Sequence, residues 1–129
     1  MANKNRDKGH RFERILAQLF RDMGFSYCKT SRQASRMLDD SKVDLAFIPY
    51  NVQAKAVKAT INYQTLFESM DEELIKNFPP TDPQRTYPKM IFHRRGRLKT
   101  QKFVIMLEDE FVEILKQVNK KDESTGEDK

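Results

Sequence analysis

The apolar residues of this chain change between two spacings along the sequence, and this alternation limits the folds that it can adopt. Between residues 9 and 23, large apolar residues recur at steps of three and one, which is the pattern of a single helix face. The same spacing predicts helices over residues 9–23, 61–78 and 108–118. Short apolar runs predict strands over residues 25–30, 43–48, 52–57, 90–92 and 103–107.

These elements predict an α/β fold with a mixed central sheet between helices, because amphipathic helices and half-buried strands each need a partner layer. The strands on either side of residues 49–51 are expected to form a hairpin, and residues 31–42 a polar loop. One domain is expected over residues 1–118, followed by a flexible charged tail over residues 119–129. The last helix is expected to face the core through Phe111, Ile114, Leu115 and Val118.

Composition excludes several classes of protein. Cys28 is the only cysteine, so no internal disulfide can form and a reducing, cytoplasmic compartment is expected. No apolar run approaches the roughly 20 residues that span a bilayer, so no membrane association is expected. The first ten residues are polar and lack the apolar region of a signal peptide.

Charge is distributed in blocks that favour a polyanionic partner. Residues 1–60 contain twelve Lys or Arg against six Asp or Glu, and residues 85–103 contain seven Lys or Arg and no Asp or Glu. Residues 61–84 and 104–129 are acidic overall. Concentrated positive charge of this kind is what phosphate binding requires, although a solvated charged surface produces the same pattern.

The most informative polar residues lie in the predicted hairpin. Gln53 and Lys55 are two residues apart, so both side chains project from the same face of their strand. Asp44 begins the partner strand, and a short turn can bring it close to both of them. Glu13 lies at the edge of the apolar face of the first helix, from which a carboxylate can reach over the sheet.

Together these residues can form a site for a hard divalent cation, Mg²⁺ or Mn²⁺. Two carboxylates, Glu13 and Asp44, supply oxygen ligands, and the amide oxygen of Gln53 and the backbone carbonyl of Ala54 can add others. Such a cation polarises a phosphoryl oxygen and lowers the pKa of a bound water. Lys55 can orient that water or stabilise charge in the transition state.

These segments resemble the PD-(D/E)XK nuclease superfamily: residues 9–13 in the first helix, Val43-Asp44-Leu45, and Gln53-Ala54-Lys55. The element order is also similar to that family's restriction-endonuclease-like αβββαβ core, with an extra strand and a C-terminal helix. Within the family, the archaeal and phage Holliday-junction resolvases are most similar, since Arg32 and Ser35 fall in a basic loop before Asp44. The resemblance covers residues 9–75.

The resemblance implies roles for individual residues. Glu13 and Asp44 would be metal ligands, Lys55 the catalytic lysine, and Ser35 a phosphate contact. Gln53 departs from the pattern, because the family usually has an acidic residue at this position. An amide oxygen can ligate a metal but brings no negative charge.

The second basic block predicts how a nucleic acid would be held. Positive side chains surround a glycine turn at Gly96, and a hairpin tip of this kind can contact backbone phosphates. His93 is expected at the surface or beside a phosphate. The predicted DNA-binding residues are Arg32, Ser35, Arg36, Arg94, Arg95, Arg97 and Lys99.

Three functions remain open from the sequence. The first is a Mg²⁺-dependent, structure-specific DNA endonuclease of the Holliday-junction resolvase type, acting as a homodimer in a prokaryotic or phage-infected cell. The second is a catalytically inactive protein on the same fold, either a DNA-binding protein or a phage structural component, and Gln53 is its basis. The third is a restriction-type or RNA-directed nuclease.

Overall fold

The computed structural model describes the backbone of residues 4–127 and the side chains of residues 6–121. Its five helices are α1 (Lys4–Asp22), α2 (Ser31–Ala34), α3 (Arg36–Asp40), α4 (Tyr63–Asn77) and α5 (Glu108–Glu127). Its five strands are β1 (Lys29–Thr30), β2 (Leu45–Ala46), β3 (Asn51–Lys55), β4 (Lys89–Arg94) and β5 (Lys102–Met106). Two single 3₁₀ turns cover Pro83–Thr86 and Lys99–Gln101.

A mixed sheet of three strands, in the order β3-β4-β5, forms the centre of this small α/β domain. β3 and β4 are parallel, with Lys55 opposite His93, and α4 lies in the crossover connection that parallel strands require. β4 and β5 form an antiparallel hairpin with Met90 opposite Met106. β1 and β2 pair separately as a two-stranded antiparallel ribbon. The predicted order of the major elements is confirmed.

The main core lies between α1 and the sheet. Phe12, Leu16 and Phe20 are buried at helical spacing and pack with Val52 of β3 and Phe92 of β4. The predicted apolar face of α1 is therefore only partly correct, since the side chains of its other three members are exposed: Ile15, Leu19 and Met23. The narrower stripe fixes the rotation of α1 and turns Glu13 towards the sheet.

A second core joins α4 to the segment before β2. Met70 and Leu74 of α4 are completely buried and pack with Leu38, Val43 and Phe78. The Asn62 side chain caps α4 by accepting a 3.1 Å hydrogen bond from the backbone N–H of Thr65. This packing holds α4 beside β3 on the side where Gln53 and Lys55 project.

Several local predictions were wrong. Residues 31–42 are not a loop, because α2 and α3 occupy most of them and bury Ser31 and Leu38. The strand predicted over 25–30 is reduced to β1. The predicted hairpin of residues 43–57 is also not regular: β2 pairs with β1, and a positive φ of 66° at Phe47 breaks the strand before β3 begins. Tertiary packing of these short segments overrides their local patterns.

The last helix differs most from expectation. α5 continues past Val118 to Glu127, and the apolar residues predicted to face the core are largely exposed: Phe111 is 47% exposed, Leu115 51% and Val118 53%. Ile114 is half-buried. Residues 128 and 129 lie outside the described residues, and the mobility of residues 119–129 stays a prediction.

Candidate functional site

Asp44 lies directly before β2 and is fixed to β3 by two hydrogen bonds. Its backbone N–H donates to the carbonyl oxygen of Val52 at 2.7 Å, and its carboxylate Oδ2 accepts from the backbone N–H of Ala54 at 2.7 Å. The irregular connection through Phe47 therefore still brings Asp44 beside β3. The side-chain contact replaces the ladder bond that a regular hairpin would have formed.

Glu13 reaches the same region from α1. Its side chain is 11% exposed and lies on the helix that packs against β3. Arg32 of α2 donates from Nη2 to both carboxylate oxygens, at 2.8 Å and 3.2 Å. This contact raises the pKa of Arg32 above its ordinary value, chiefly through the hydrogen bond to Glu13. The α2 helix, which the sequence did not predict, places this guanidinium.

Gln53 is buried, and the nitrogen of its side-chain amide has a hydrogen-bond partner. Its Nε2 donates to the backbone carbonyl of Lys42 at 3.1 Å, where a positive φ of 66° turns that carbonyl inward. Its Oε1 is fully buried and has no hydrogen-bond partner among the described residues. A buried acceptor without a partner costs about 1–3 kcal/mol, so a ligand is the natural explanation for it.

One cavity of about 390 Å³ joins these groups. It is lined by the four predicted site residues, Glu13, Asp44, Gln53 and Lys55. The structure thus brings together side chains from α1, the β2 entry and β3. The cavity is completed by Ala54 and by five further residues: Asp39, Lys42, Thr65, Leu66 and Ser69.

The surroundings change the acidity of Asp44. Burial raises the pKa of the Asp44 carboxyl from its ordinary 3.8 to about 7, and the Glu13 carboxylate adds to this rise. The hydrogen bond from Ala54 and the positive charge of Lys55 act in the opposite direction. Two carboxylates held together in a low-dielectric cavity repel each other unless a proton or a cation lies between them.

The donors present fit a hard divalent cation. Glu13 and Asp44 supply two carboxylates, and the unpartnered Oε1 of Gln53 supplies a neutral oxygen, which together are the ligand types that Mg²⁺ and Mn²⁺ prefer. No group of three or more His, Cys, Asp or Glu side chains close enough to share a metal occurs among the described residues. A cation in this cavity would therefore have two carboxylates and the amide oxygen of Gln53 as its side-chain ligands.

A second, larger cavity of about 820 Å³ is strongly basic. None of the described residues that line it is acidic, and Gly96 at the β4–β5 tip forms part of its wall. Its six positive side chains are Lys8, Arg11, Lys58, Arg94, Arg95 and Arg97. Two residues that line the basic cavity are sequence neighbours of the first cavity: Phe12 precedes Glu13 on α1, and Ala56 follows Lys55 at the end of β3.

Two arginines of the basic cavity are held in fixed positions. The guanidinium of Arg94 lies over the Phe12 ring at 4.7 Å, and Nε of Arg95 donates to the backbone carbonyl of Lys58 at 2.9 Å. Arginines that are already oriented lose less entropy when they bind phosphate. The predicted contacts Arg94, Arg95 and Arg97 therefore share one concave surface.

The other predicted DNA contacts lie elsewhere. Arg32 is bonded to Glu13, and the Ser35 hydroxyl caps α3 by accepting from the backbone N–H of Leu38 at 3.2 Å. The Arg36 side chain is exposed near Asp40, and Lys99 lies in a 3₁₀ turn outside the basic cavity. None of these four predicted contacts lines the basic cavity.

Sequence reasoning missed three cavity residues and misplaced His93. Lys8 and Arg11 are three residues apart on α1, a spacing that could have indicated a shared face. Lys58 lies in the loop after β3, where no local pattern indicated its position. His93 is completely buried, not at the surface. Its Nε2 is 2.8 Å from the Val57 carbonyl and its Nδ1 is 2.9 Å from the Tyr63 hydroxyl.

Comparisons with known proteins give no relative: no family model, curated protein or solved structure matches this chain. Within the described residues, no helix combines the length and the apolar character needed to cross a membrane.

Proposed function

We propose that this protein is a metal-dependent endonuclease that hydrolyses DNA phosphodiester bonds, on a core of the PD-(D/E)XK, restriction-endonuclease-like type. The observation that carries the proposal is the convergence of Glu13, Asp44, Gln53 and Lys55 on one cavity, with a buried Gln53 oxygen that has no partner. These groups come from α1, the entry to β2 and β3, so only the tertiary fold brings them to one cavity.

In this proposal Glu13, Asp44, Gln53 and the Ala54 carbonyl hold Mg²⁺ or Mn²⁺. The bound cation supplies Lewis-acid polarisation of the phosphoryl oxygen and a water of lowered pKa. The Lys55 ammonium orients the attacking water and stabilises the negative charge that develops on the phosphate. The hydrogen bond from Ala54 keeps Oδ2 of Asp44 in place, so that the carboxylate stays in the wall of the cavity.

The basic cavity supports DNA as the substrate. A duplex backbone that lies against Arg94, Arg95 and Arg97 would continue to the metal cavity, because Phe12 and Glu13 on α1 are sequence neighbours that line one cavity each, as are Ala56 and Lys55. Contacts of this kind recognise the backbone and its shape, not the base sequence. We therefore propose branched DNA, such as a Holliday junction, as the preferred substrate, cut by a homodimer whose two sites match the two-fold symmetry of the junction.

A titration of Mg²⁺ with three substrates tests the proposal: a four-way junction, a linear duplex and structured RNA. We expect cleavage of the junction that requires the metal and is lost in Lys55→Ala and Asp44→Asn. Asp40→Asn, which changes an exposed neighbouring acid outside the cavity, should cut as the wild type does. Preferential digestion of the RNA or of the linear duplex would instead support an RNA-directed or restriction-type enzyme.

The alternative is a catalytically inactive DNA-binding or phage structural protein on the same fold. Two observations favour it: Gln53 brings no negative charge, and Arg32 already neutralises Glu13. The same titration separates the two proposals. The alternative requires DNA binding without nicking of junction or supercoiled DNA at any Mg²⁺ or Mn²⁺ concentration.

A further inference from the structure

β5 is an edge strand whose first three residues are exposed. β4 is its only partner in the sheet of the described chain, so its outer backbone N–H and C=O groups face away from the sheet. Phe103 and Val104 point to opposite faces of the sheet, and they are 43% and 55% exposed. Proteins usually shorten, charge or cover such an edge, because it offers a template for another strand.

The apolar surface continues from β5 into α5. Leu107, Phe111, Leu115 and Val118 are each between 43% and 53% exposed, and no element of the described chain packs extensively against α5. The helix is held at its first turn, where Glu110 accepts from the backbone N–H and Nζ of Lys89. Exposed apolar side chains that share one face of a helix are typical of an interface.

The charges around β5 identify the occupant. Lys99 and Lys102 come before the apolar run of residues 103–107, and Glu108 and Asp109 follow it. In an antiparallel pair of identical strands, the acidic end of each strand lies beside the basic end of the other. A parallel copy would place like charges together, which is unfavourable.

We propose that β5 pairs with β5 of a second copy of this chain, antiparallel about a two-fold axis at Val104, so that Val104 lies opposite the same residue of the second copy. The pair would continue the sheet from one copy into the other, and the exposed stripe of α5 would supply further buried area. A stable interface buries about 800 Å² on each partner, more than one strand pair provides by itself. This proposal stands on the surface of β5 and α5, whether or not the chain cuts DNA.

Charge reversal tests the antiparallel arrangement. In sedimentation equilibrium on the full chain, the wild type should form a particle of twice the 15.3 kDa chain mass. Lys102→Glu and Glu108→Lys should each weaken the dimer by about tenfold or more, since two repulsive contacts appear per dimer. The double variant should regain wild-type affinity. Lys116→Glu makes the same charge change on the opposite side of α5 and should have no effect.

A cysteine at the proposed axis gives a second readout. Residues opposed in an antiparallel pair have Cα atoms about 4.5–5.5 Å apart, within the range of a disulfide. Val104→Cys should therefore form a covalent dimer under mild oxidation, and Lys116→Cys should not. The native Cys28 is completely buried and gives no background. A wild-type monomer at all concentrations, unchanged affinity in both single reversals, or no rescue by the double variant would overturn the proposal.

Discussion

The backbone N–H of Ala54 donates a 2.7 Å hydrogen bond to Oδ2 of Asp44. Through this bond, the strand that carries Gln53 and Lys55 also positions the carboxylate of Asp44, although the two segments form no regular hairpin. The bond satisfies one oxygen of a carboxylate that lines the candidate metal cavity. The geometry of the candidate metal site therefore depends on one contact between a main chain and a side chain.

The raised pKa of Asp44 makes the stability of the metal-free protein depend on pH. From pH about 4 to about 7, the folded protein keeps a proton on Asp44 that the unfolded chain releases, so the free energy of unfolding falls as pH rises. Asp44→Asn keeps an oxygen for the Ala54 N–H and should remove this fall. Urea unfolding in EDTA at several pH values measures it.

Asp40→Asn is the control for that measurement, because Asp40 is exposed and lies outside the cavity. Added Mg²⁺ should stabilise the wild type more at pH 8 than at pH 5, since the cation competes with the proton on Asp44. Equal pH dependence in wild type and Asp44→Asn would contradict the assignment.

Gln53→Glu should have opposite effects on metal affinity and on stability. A third carboxylate strengthens the binding of Mg²⁺, so the concentration at half-maximal binding should fall about tenfold or more. The new side chain cannot donate to the Lys42 carbonyl, so the metal-free protein should lose about 1–3 kcal/mol. Isothermal titration and urea unfolding measure the two effects. If Mg²⁺ binding is unchanged, Gln53 is not a ligand.

Arg32→Gln should destabilise the metal-free protein, because Glu13 would keep a largely buried carboxylate without its cation. The Arg32 side chain is 42% exposed, so we expect a loss of about 1–2 kcal/mol, below that of a fully buried pair. Mg²⁺ should restore much of the loss by taking over the charge. Arg36→Gln, on the exposed side chain of the neighbouring helix, is the matched control, and an equal loss in both variants would remove the special role of Arg32.

Arg11→Gln should weaken DNA binding without a change in fold. Arg11 lines the basic cavity, so its loss should lower the slope of log affinity against log salt concentration by about one. Arg14→Gln removes the same charge from the same helix outside the cavity and should leave the slope unchanged. Fluorescence anisotropy in EDTA measures binding without cleavage. Identical slopes in the two variants would show that the cavity does not hold DNA.

The sequence by itself determined the major elements and the composition of the candidate site. Two local patterns are retained in the structure: the helical spacing of Phe12, Leu16 and Phe20, and the alternation of Gln53 and Lys55. They are retained because the geometry of a helix or a strand alone decides which side chains share a face. From these patterns the order of helices and strands could be predicted, as could the four residues that line the candidate metal cavity. The sequence also showed that Gln53 stands where the family that the chain resembles usually has an acidic residue.

Only the tertiary structure decided what surrounds these residues. The α2 helix that brings Arg32 to Glu13, the burial of His93 and the contribution of Lys8 and Lys58 to the basic cavity all depend on contacts between distant segments. The exposure of α5 is of the same kind: Leu115 and Val118 have the spacing of a core face, but the described chain provides nothing to cover them. Periodicity reveals that a face is apolar, whereas its partner is set by the three-dimensional arrangement of the other elements or of a second chain.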